Sequence, residues 1–231
     1  KDKKKWKKIY ERDYSNKSQF YPVGLLENGN LVVLSNENTD TVSVNEFDLD
    51  KDEFVGVLYE NKKYDVIDAY ISSDRKSLSS VEFYDHGRLA TKFFNEDDKK
   101  LRRLFSETFP DKQILTVSAD SSGRYQIVFV FSSDDPGGFY LFDTESLKAH
   151  QLTSRRSALD NYKFVKSESF SVEVDDGVTV EAILTRPSSE NNKVLLVMPH
   201  GGPIGIRDTD GFHLSSQFLA SRGFSTLRIN F

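Results

Sequence analysis

The chain has 231 residues, with 31 Lys and Arg against 36 Asp and Glu, a formal net charge of -5 and 13% aromatic residues. The aromatic content excludes a disordered chain, because large rings bury enough surface to offset chain entropy, and the mild acidity argues against a nucleic-acid binder. With no Cys, disulfides, thiolate catalysis and Cys-type zinc sites are all excluded, and no stretch of about 18 apolar residues is present to span a membrane.

The sequence opens at Lys1, has its single Met at position 198 and stops at Phe231 inside an apolar run. It therefore reads as a piece of a longer protein. The basic run Lys3–Lys8 around Trp6 reads as a solvated flank, and Trp6–Tyr10 as the closing strand of an earlier repeat. A repeat then begins. Asn28, Asp74 and Asp120 each sit in a polar turn between two apolar segments, 46 and 46 residues apart. Asn and Asp suit such turns because their side chains bond the nearby backbone. Phe47-Asp48, Phe94-Asn95 and Phe142-Asp143 keep the same period, at 47 and 48 residues. An apolar segment comes after each: Phe54–Leu58, Leu101–Phe105 and Leu147–Leu152.

Two markers in step predict a unit of about four strands, the size of a β-propeller blade. The blades fall at 20–66, 67–113 and 114–162, and three blades cannot close a ring of about 4–8. A β-sandwich with chance spacing is the alternative. Within the repeats, Asp134-Asp135-Pro136-Gly137-Gly138 reads as a loop between strands, and Glu96-Asp97-Asp98 as a solvated acidic run.

The pattern changes near Lys163. Glu168–Val174 alternates, Asp175-Asp176-Gly177 signals a turn, and Val178–Leu184 completes a hairpin. Ser188–Asn192 is a polar loop. Val194–Met198 is apolar on both faces, which predicts a strand inside a sheet covered on two sides. His200-Gly201-Gly202-Pro203 comes directly after Pro199. Asp208, Thr209 and Asp210 offer N-caps for a helix over Phe212–Arg222, with Gly223 as its stop. Phe224–Phe231 is a further strand, its apolar positions being Leu227 and Ile229. Strand, Gly-rich loop, helix and strand open an α/β domain, in which ligands gather at the C-terminal ends of strands.

Adjacent glycines leave backbone N–H groups uncovered, and an N–H aimed at a developing negative oxygen is an oxyanion donor. A tight turn that needs glycine dihedrals is the other reading of Gly201-Gly202. The four His, at 86, 150, 200 and 213, show no His-Glu-x-x-His spacing, so no metal site is expected. His86 and His150 read as surface residues. Ser215 and Ser216 fall inside the expected helix, where a nucleophile lacks exposure and an activating base.

Ser167–Pro187, Val194–Pro203 and Phe218–Phe231 resemble the start of the catalytic domain in the prolyl oligopeptidase family of serine peptidases. The His-Gly-Gly-Pro form is closest to its acylaminoacyl-peptidase and dipeptidyl-aminopeptidase branches. The resemblance implies a mainly β chain: part of a β-propeller over 1–162, about three four-stranded blades, and the beginning of an α/β-hydrolase domain over 163–231. It implies that Gly202 supplies an oxyanion N–H, that Gly201 gives room and that His200 and Pro203 shape the loop. It also implies hydrolysis of short peptides by acyl transfer, without cofactor or metal and with no nucleic-acid or membrane partner.

The family's Arg-Gly step and its Gly-x-Ser-x-Gly elbow are not in these 231 residues, and its Ser, Asp and His triad falls later in the order. Two other readings stay open: a propeller scaffold with a degenerate hydrolase domain, and an esterase with a related loop. The upstream repeat argues against the esterase.

Overall fold

The computed structural model describes residues 8–11, 18–174, 177–188, 193–202 and 206–230. Trp6–Lys7 of the expected first strand, the turn residues Asp175–Asp176, the loop Ser189–Asn192, Pro203 and Phe231 lie outside the described residues. The chain is mainly β, and it divides into two compact units, 1–85 with 90–98 and 86–89 with 99–231.

In the first unit β1 (Tyr21–Leu25), β2 (Leu31–Ser35), β3 (Ser43–Asp48) and β4 (Glu53–Tyr59) form a four-stranded sheet in sequential order. Every neighbouring pair is antiparallel. A three-stranded sheet comes next, made of β5 (Val66–Ile71), β6 (Leu78–Asp85) and β7 (Arg88–Phe93). Val32, Val44, Val66 and Val81 fill the core between these strands, and a second cluster gathers Leu31, Val33 and Phe47. Phe20, Phe47 and Phe54 meet edge to face at 5.2–6.0 Å. Tyr10 stacks on Phe20 at 4.0 Å. Lys8–Tyr10 is not a strand, contrary to the sequence reading; Ile9 packs instead against the cluster of Leu31, Val33 and Phe47.

The repeat markers have a common physical cause. Asn28 Oδ1 accepts the Asn30 N–H at 3.0 Å, and Asp74 Oδ1 accepts the Lys76 N–H at 3.1 Å. Asp120 Oδ1 accepts the Tyr125 N–H at 2.9 Å. These bonds hold the carboxyls of Asp74 and Asp120 below the usual carboxylate range, the Ser72 and Ser122 hydroxyls contributing most. At the second marker Asp48 and Asp143 accept the N–H groups of Asp50 and Glu145, opening turns to the next strand.

The middle repeat departs from the expected four strands. Asn95 Oδ1 accepts the Asp98 N–H at 2.8 Å and opens the helix α1 (Glu96–Thr108). Leu101–Phe105, where a strand is expected, lies in that helix. Glu96, Asp97 and Asp98 form its first turn, where negative charge is favourable, so they are more than a solvated run. Leu101, Leu104 and Phe105 have helical spacing and join one apolar cluster with Ile114, Val128, Val130 and Phe142.

The second unit holds β8 (Gln113–Ala119), β9 (Tyr125–Ser132), β10 (Asp135–Asp143) and β11 (Lys148–Ser154) in a sequential antiparallel sheet. The expected loop at 134–138 is shorter than its composition suggests. Ser133–Asp134 makes the turn, and Asp135-Pro136-Gly137 begins β10 with a bulge. Proline is tolerated there because the ladder skips it.

The last sheet has the order β12 (Ser167–Glu173), β13 (Thr179–Thr185), β15 (Ser225–Asn230), β14 (Leu195–Pro199). The expected hairpin is β12 and β13, with Phe170 opposite Ala182. The helix α2 (Leu214–Ser221) joins β14 to β15, which are parallel. The Gln217 side chain ties this part to its surroundings. Its amide donates to the carbonyls of Ser133 (2.8 Å) and Val165 (2.7 Å) and accepts the Val165 N–H at 3.0 Å.

Gly137 has φ +93°, and a Cβ there would lie 2.7 Å from the Val130 carbonyl oxygen. Gly137→Ala is expected to cost about 2 kcal/mol or more, read as a lowered thermal midpoint. An unchanged midpoint would show that the bulge can relax.

Candidate active site

The parallel pairing of β14 with β15 runs from Leu195 opposite Ser225 to Pro199 opposite Ile229. The C-terminal ends of both strands therefore lie at one end of the sheet, and His200-Gly201-Gly202 leaves from there. β14 is the outer strand. Leu195 and Val197 are 50% and 56% exposed, so the expected cover on both faces is not met among the described residues.

Gly201 and Gly202 are exposed. Neither has a positive φ, and a Cβ at either would meet nothing within 4 Å. Among the described residues, neither dihedral nor internal space therefore demands glycine at these two positions. What glycine leaves is open backbone on the solvent side. The His200 Nδ1–H donates to the Gly201 carbonyl at 2.7 Å, which fixes the ring against its own loop. Pro203 lies outside the described residues.

The crossover helix is held at both ends. At its start the His213 Nδ1 accepts the Ser216 N–H at 3.3 Å and lies 2.9 Å from Ser216 Oγ. A nitrogen that accepts from an amide carries no proton, so the Ser216 hydroxyl also donates to it. His213 is thus the N-cap, and Asp208, Thr209 and Asp210 are not. The Asp208 carboxylate bonds Arg228 instead, and the Asp210 carboxylate lies near Arg88. An imidazole does lie against Ser216, contrary to the sequence reading, but Ser216 is 1% exposed and its hydroxyl is committed to the cap. At the other end Gly223 has φ +86°. Its N–H donates to the Ala220 carbonyl and the Phe224 N–H to the Leu219 carbonyl, a Schellman stop at the expected residue.

The segment entering α2 is bonded to three neighbours. Arg207 pairs with Glu181 of β13. The Asp210 N–H donates to the Gly87 carbonyl at 2.7 Å, and its own carbonyl accepts the Gln113 amide. The Asp210 carboxylate lies 3.6 Å from Arg88 Nε. Burial pushes the Asp210 carboxyl up, against the pull of Arg88 and Arg228. Burial pushes the His213 imidazole down, helped by Arg228 and opposed by Asp208. Sequence reasoning missed His213, Gln217 and the partners of Asp208 and Asp210. The polar residues of α2 gave the only signal for any of them.

A separate cavity of about 460 Å³ lies in the first unit, lined by Glu27, Glu46, Leu58, Arg75, Lys76 and Phe94 among others. Its polar groups are already used. Glu46 accepts from Asn28 and Asn30, Arg75 donates to the carbonyls of Leu25 and Leu26, and Lys76 lies 3.8 Å from Glu27. It reads as packing between sheets.

No protein-family model matches the chain. Dipeptidyl peptidase family member 6 of Caenorhabditis elegans is 24% identical over 253 residues, covering 98% of this chain and 34% of the relative. Dipeptidyl aminopeptidase BIII of Pseudoxanthomonas mexicana is 30% identical over 114 residues, covering 46% and 16%. The solved acylaminoacyl peptidase of Pyrococcus horikoshii superposes with a TM-score of 0.56 at 17% identity, over 97% of this chain and 34% of that one. The chain thus resembles prolyl oligopeptidase-type peptidases along almost its whole length, and it spans about a third of the relatives that it matches throughout. No helix among the described residues is long and apolar enough to cross a membrane.

His213 is neutral in the fold at pH 7, and its folded pKa lies below the ordinary 6.5. Its contribution is therefore present above pH 6.5 and lost as pH falls through the folded value. His213→Asn keeps a capping side chain that does not titrate. The variant is expected to flatten the fall in thermal midpoint between about pH 7 and 5. Parallel pH profiles would remove His213 from that transition.

Proposed function

We propose that the chain is a segment of a serine peptidase of the prolyl oligopeptidase family, with propeller blades in 1–162 and the first part of an α/β-hydrolase domain in 163–231. The intact enzyme hydrolyses short peptides by acyl transfer. A Ser attacks the carbonyl, a His moves the proton, and Gly202 donates its backbone N–H to the oxyanion. This chemistry needs no cofactor or metal. The supporting observation is the His200-Gly201-Gly202 loop itself: solvent-open glycine backbone, free of any dihedral demand, at the C-terminal end of a parallel strand. Two dipeptidyl peptidase relatives support the peptide substrate class.

The uncovered apolar face of the last sheet is consistent with a segment. Leu184, Leu195, Val197, Leu227 and Ile229 share it through the strand register. The remaining part of the hydrolase domain would pack there.

The test is made on the intact protein with a chromogenic dipeptide or acylated amino-acid substrate and a serine-directed inhibitor. Inhibitable hydrolysis is expected. Gly202→Leu, which crowds the amide, should lower kcat on the order of 10²-fold while KM changes little, because an oxyanion contact strengthens only as charge develops. A Gly202→Leu enzyme with unchanged kcat removes the assigned role, and an intact protein without inhibitable activity favours the scaffold reading. The 231-residue chain alone is expected to be inactive, since an oxyanion donor without a nucleophile has nothing to stabilise. Inhibitable hydrolysis by that piece would overturn this.

A further inference from the structure

We infer that Arg228 and Asn230, on the strand after the helix, are positioning residues for the glycine loop: they hold its far end by clamping Asp208 to the same strand that holds its near end. The inference rests on the proposed oxyanion role of the loop, and it adds residues that neither sequence motif nor family resemblance singled out.

The near end is fixed by backbone pairing, with Met198 opposite Arg228 and Pro199 opposite Ile229. The far end is fixed by side chains. Asn230 Oδ1 accepts the Asp208 N–H at 2.8 Å, and Asn230 Nδ2 donates to the Asp208 carbonyl at 3.1 Å. One side-chain amide therefore reads both polar groups of one backbone residue, as an added rung of the sheet would. Arg228 Nη1 donates to Asp208 Oδ1 at 3.1 Å. Arg228 and Asn230 are two apart on a strand, so they point to the same face. The residues before and after the glycine segment, Met198–Pro199 and Asp208, are consequently both tied to Arg228–Asn230.

The energetics separate this arrangement from a simple stabilising contact. The Arg228 side chain is 4% exposed, and its Nε and Nη2 have no hydrogen-bond partner among the described residues. A buried charge with one partner is a poor source of net stability, since desolvation offsets the attraction, and replacing both members of such a pair by apolar side chains is often neutral. A guanidinium does what an apolar chain cannot: it fixes the direction of a carboxylate. Small misplacement of a catalytic donor matters, since about 1 Å can cost on the order of 10²-fold in rate.

The experiment uses the intact protein and the variants Arg228→Met, Arg228→Lys and Asn230→Ala. Three readouts are taken: thermal midpoint, kcat and KM on a chromogenic dipeptide, and hydrogen exchange of the backbone amide of Asp208, which donates to Asn230 Oδ1. For Arg228→Met and Asn230→Ala the expected result is kcat lowered at least 10-fold, KM within twofold and exchange at the Asp208 amide at least 10-fold faster; the midpoint stays within a few degrees of wild type in Asn230→Ala and falls in Arg228→Met, which leaves the Asp208 carboxylate unpaired. Arg228→Lys, which keeps the charge without the fork, should recover part of kcat. Unchanged exchange and kcat in both, or a lowered midpoint as the only effect, would overturn the inference. Should Arg228→Met not fold, Asn230→Ala at the strand end decides. Should the wild-type protein hydrolyse no peptide, the functional reading fails by itself, and hydrogen exchange alone decides whether the clamp exists.

Discussion

The last sheet depends on one strand, β15, which pairs antiparallel with β13 on one side and parallel with β14 on the other. The antiparallel neighbour is part of a hairpin and could be reached by a short turn. The parallel neighbour can be reached only by a crossover, and α2 is that crossover. Once β14 and β15 run the same way, the glycine loop and Asn230 must lie at one end of the sheet. The helix is fixed in turn by local chemistry: an imidazole cap at His213 and a glycine stop at Gly223.

β15 also inverts the usual pattern. Leu227 and Ile229 are the apolar residues on which a sequence reading relies, yet both are only half-buried. Thr226 is fully buried, and Arg228 and Asn230 are 3% and 9% exposed. The polar face is covered because Arg207, Asp208 and Asp210 bring ion pairs and backbone hydrogen bonds to it. Alternation assigns the two faces of a strand correctly. It does not say which face is covered when the cover is itself polar.

The repeats were legible because their signal is chemical rather than statistical. An Asn or Asp side chain that bonds a nearby following amide makes a turn: Asn28, Asp74, Asp48 and Asp143 bond the amide two residues on, and Asp120 the amide five residues on. The same chemistry caused the misreading of the middle repeat. Asn95 makes the bond of a turn and of a helix N-cap alike, and the residues after it decide between the two. Three acidic residues and then Leu101, Leu104 and Phe105 at helical spacing carry the helix signal. In the glycine loop, position and residue types were readable, but the clamp was not. Asp208 and Asn230 lie 22 residues apart, and no local pattern announces a side-chain amide that bonds a distant backbone.

The sheets of the repeats and the last sheet meet burial differently. In the first unit Val32, Val33 and Val44 are fully buried by neighbours within the unit. In the last sheet Leu195, Val197 and Val172 are 39–56% exposed, as is Val178 just before β13. Fully burying such a side chain yields about 1.5–3 kcal/mol relative to full exposure, so covering four half-exposed ones is worth several kcal/mol. That is comparable with the whole net stability of a domain. A further layer over this face, supplied by the proposed remainder of the peptidase, therefore adds stability to the sheet as a whole. The opposite face needs no such layer. Its ion pairs and the Asn230 amide close on residues of this chain, so the two ends of the glycine loop are already tied before the apolar face is covered. The two flanks of the glycine segment, Met198–Pro199 and Asp208, are thus held by residues of β15 whatever covers the apolar face.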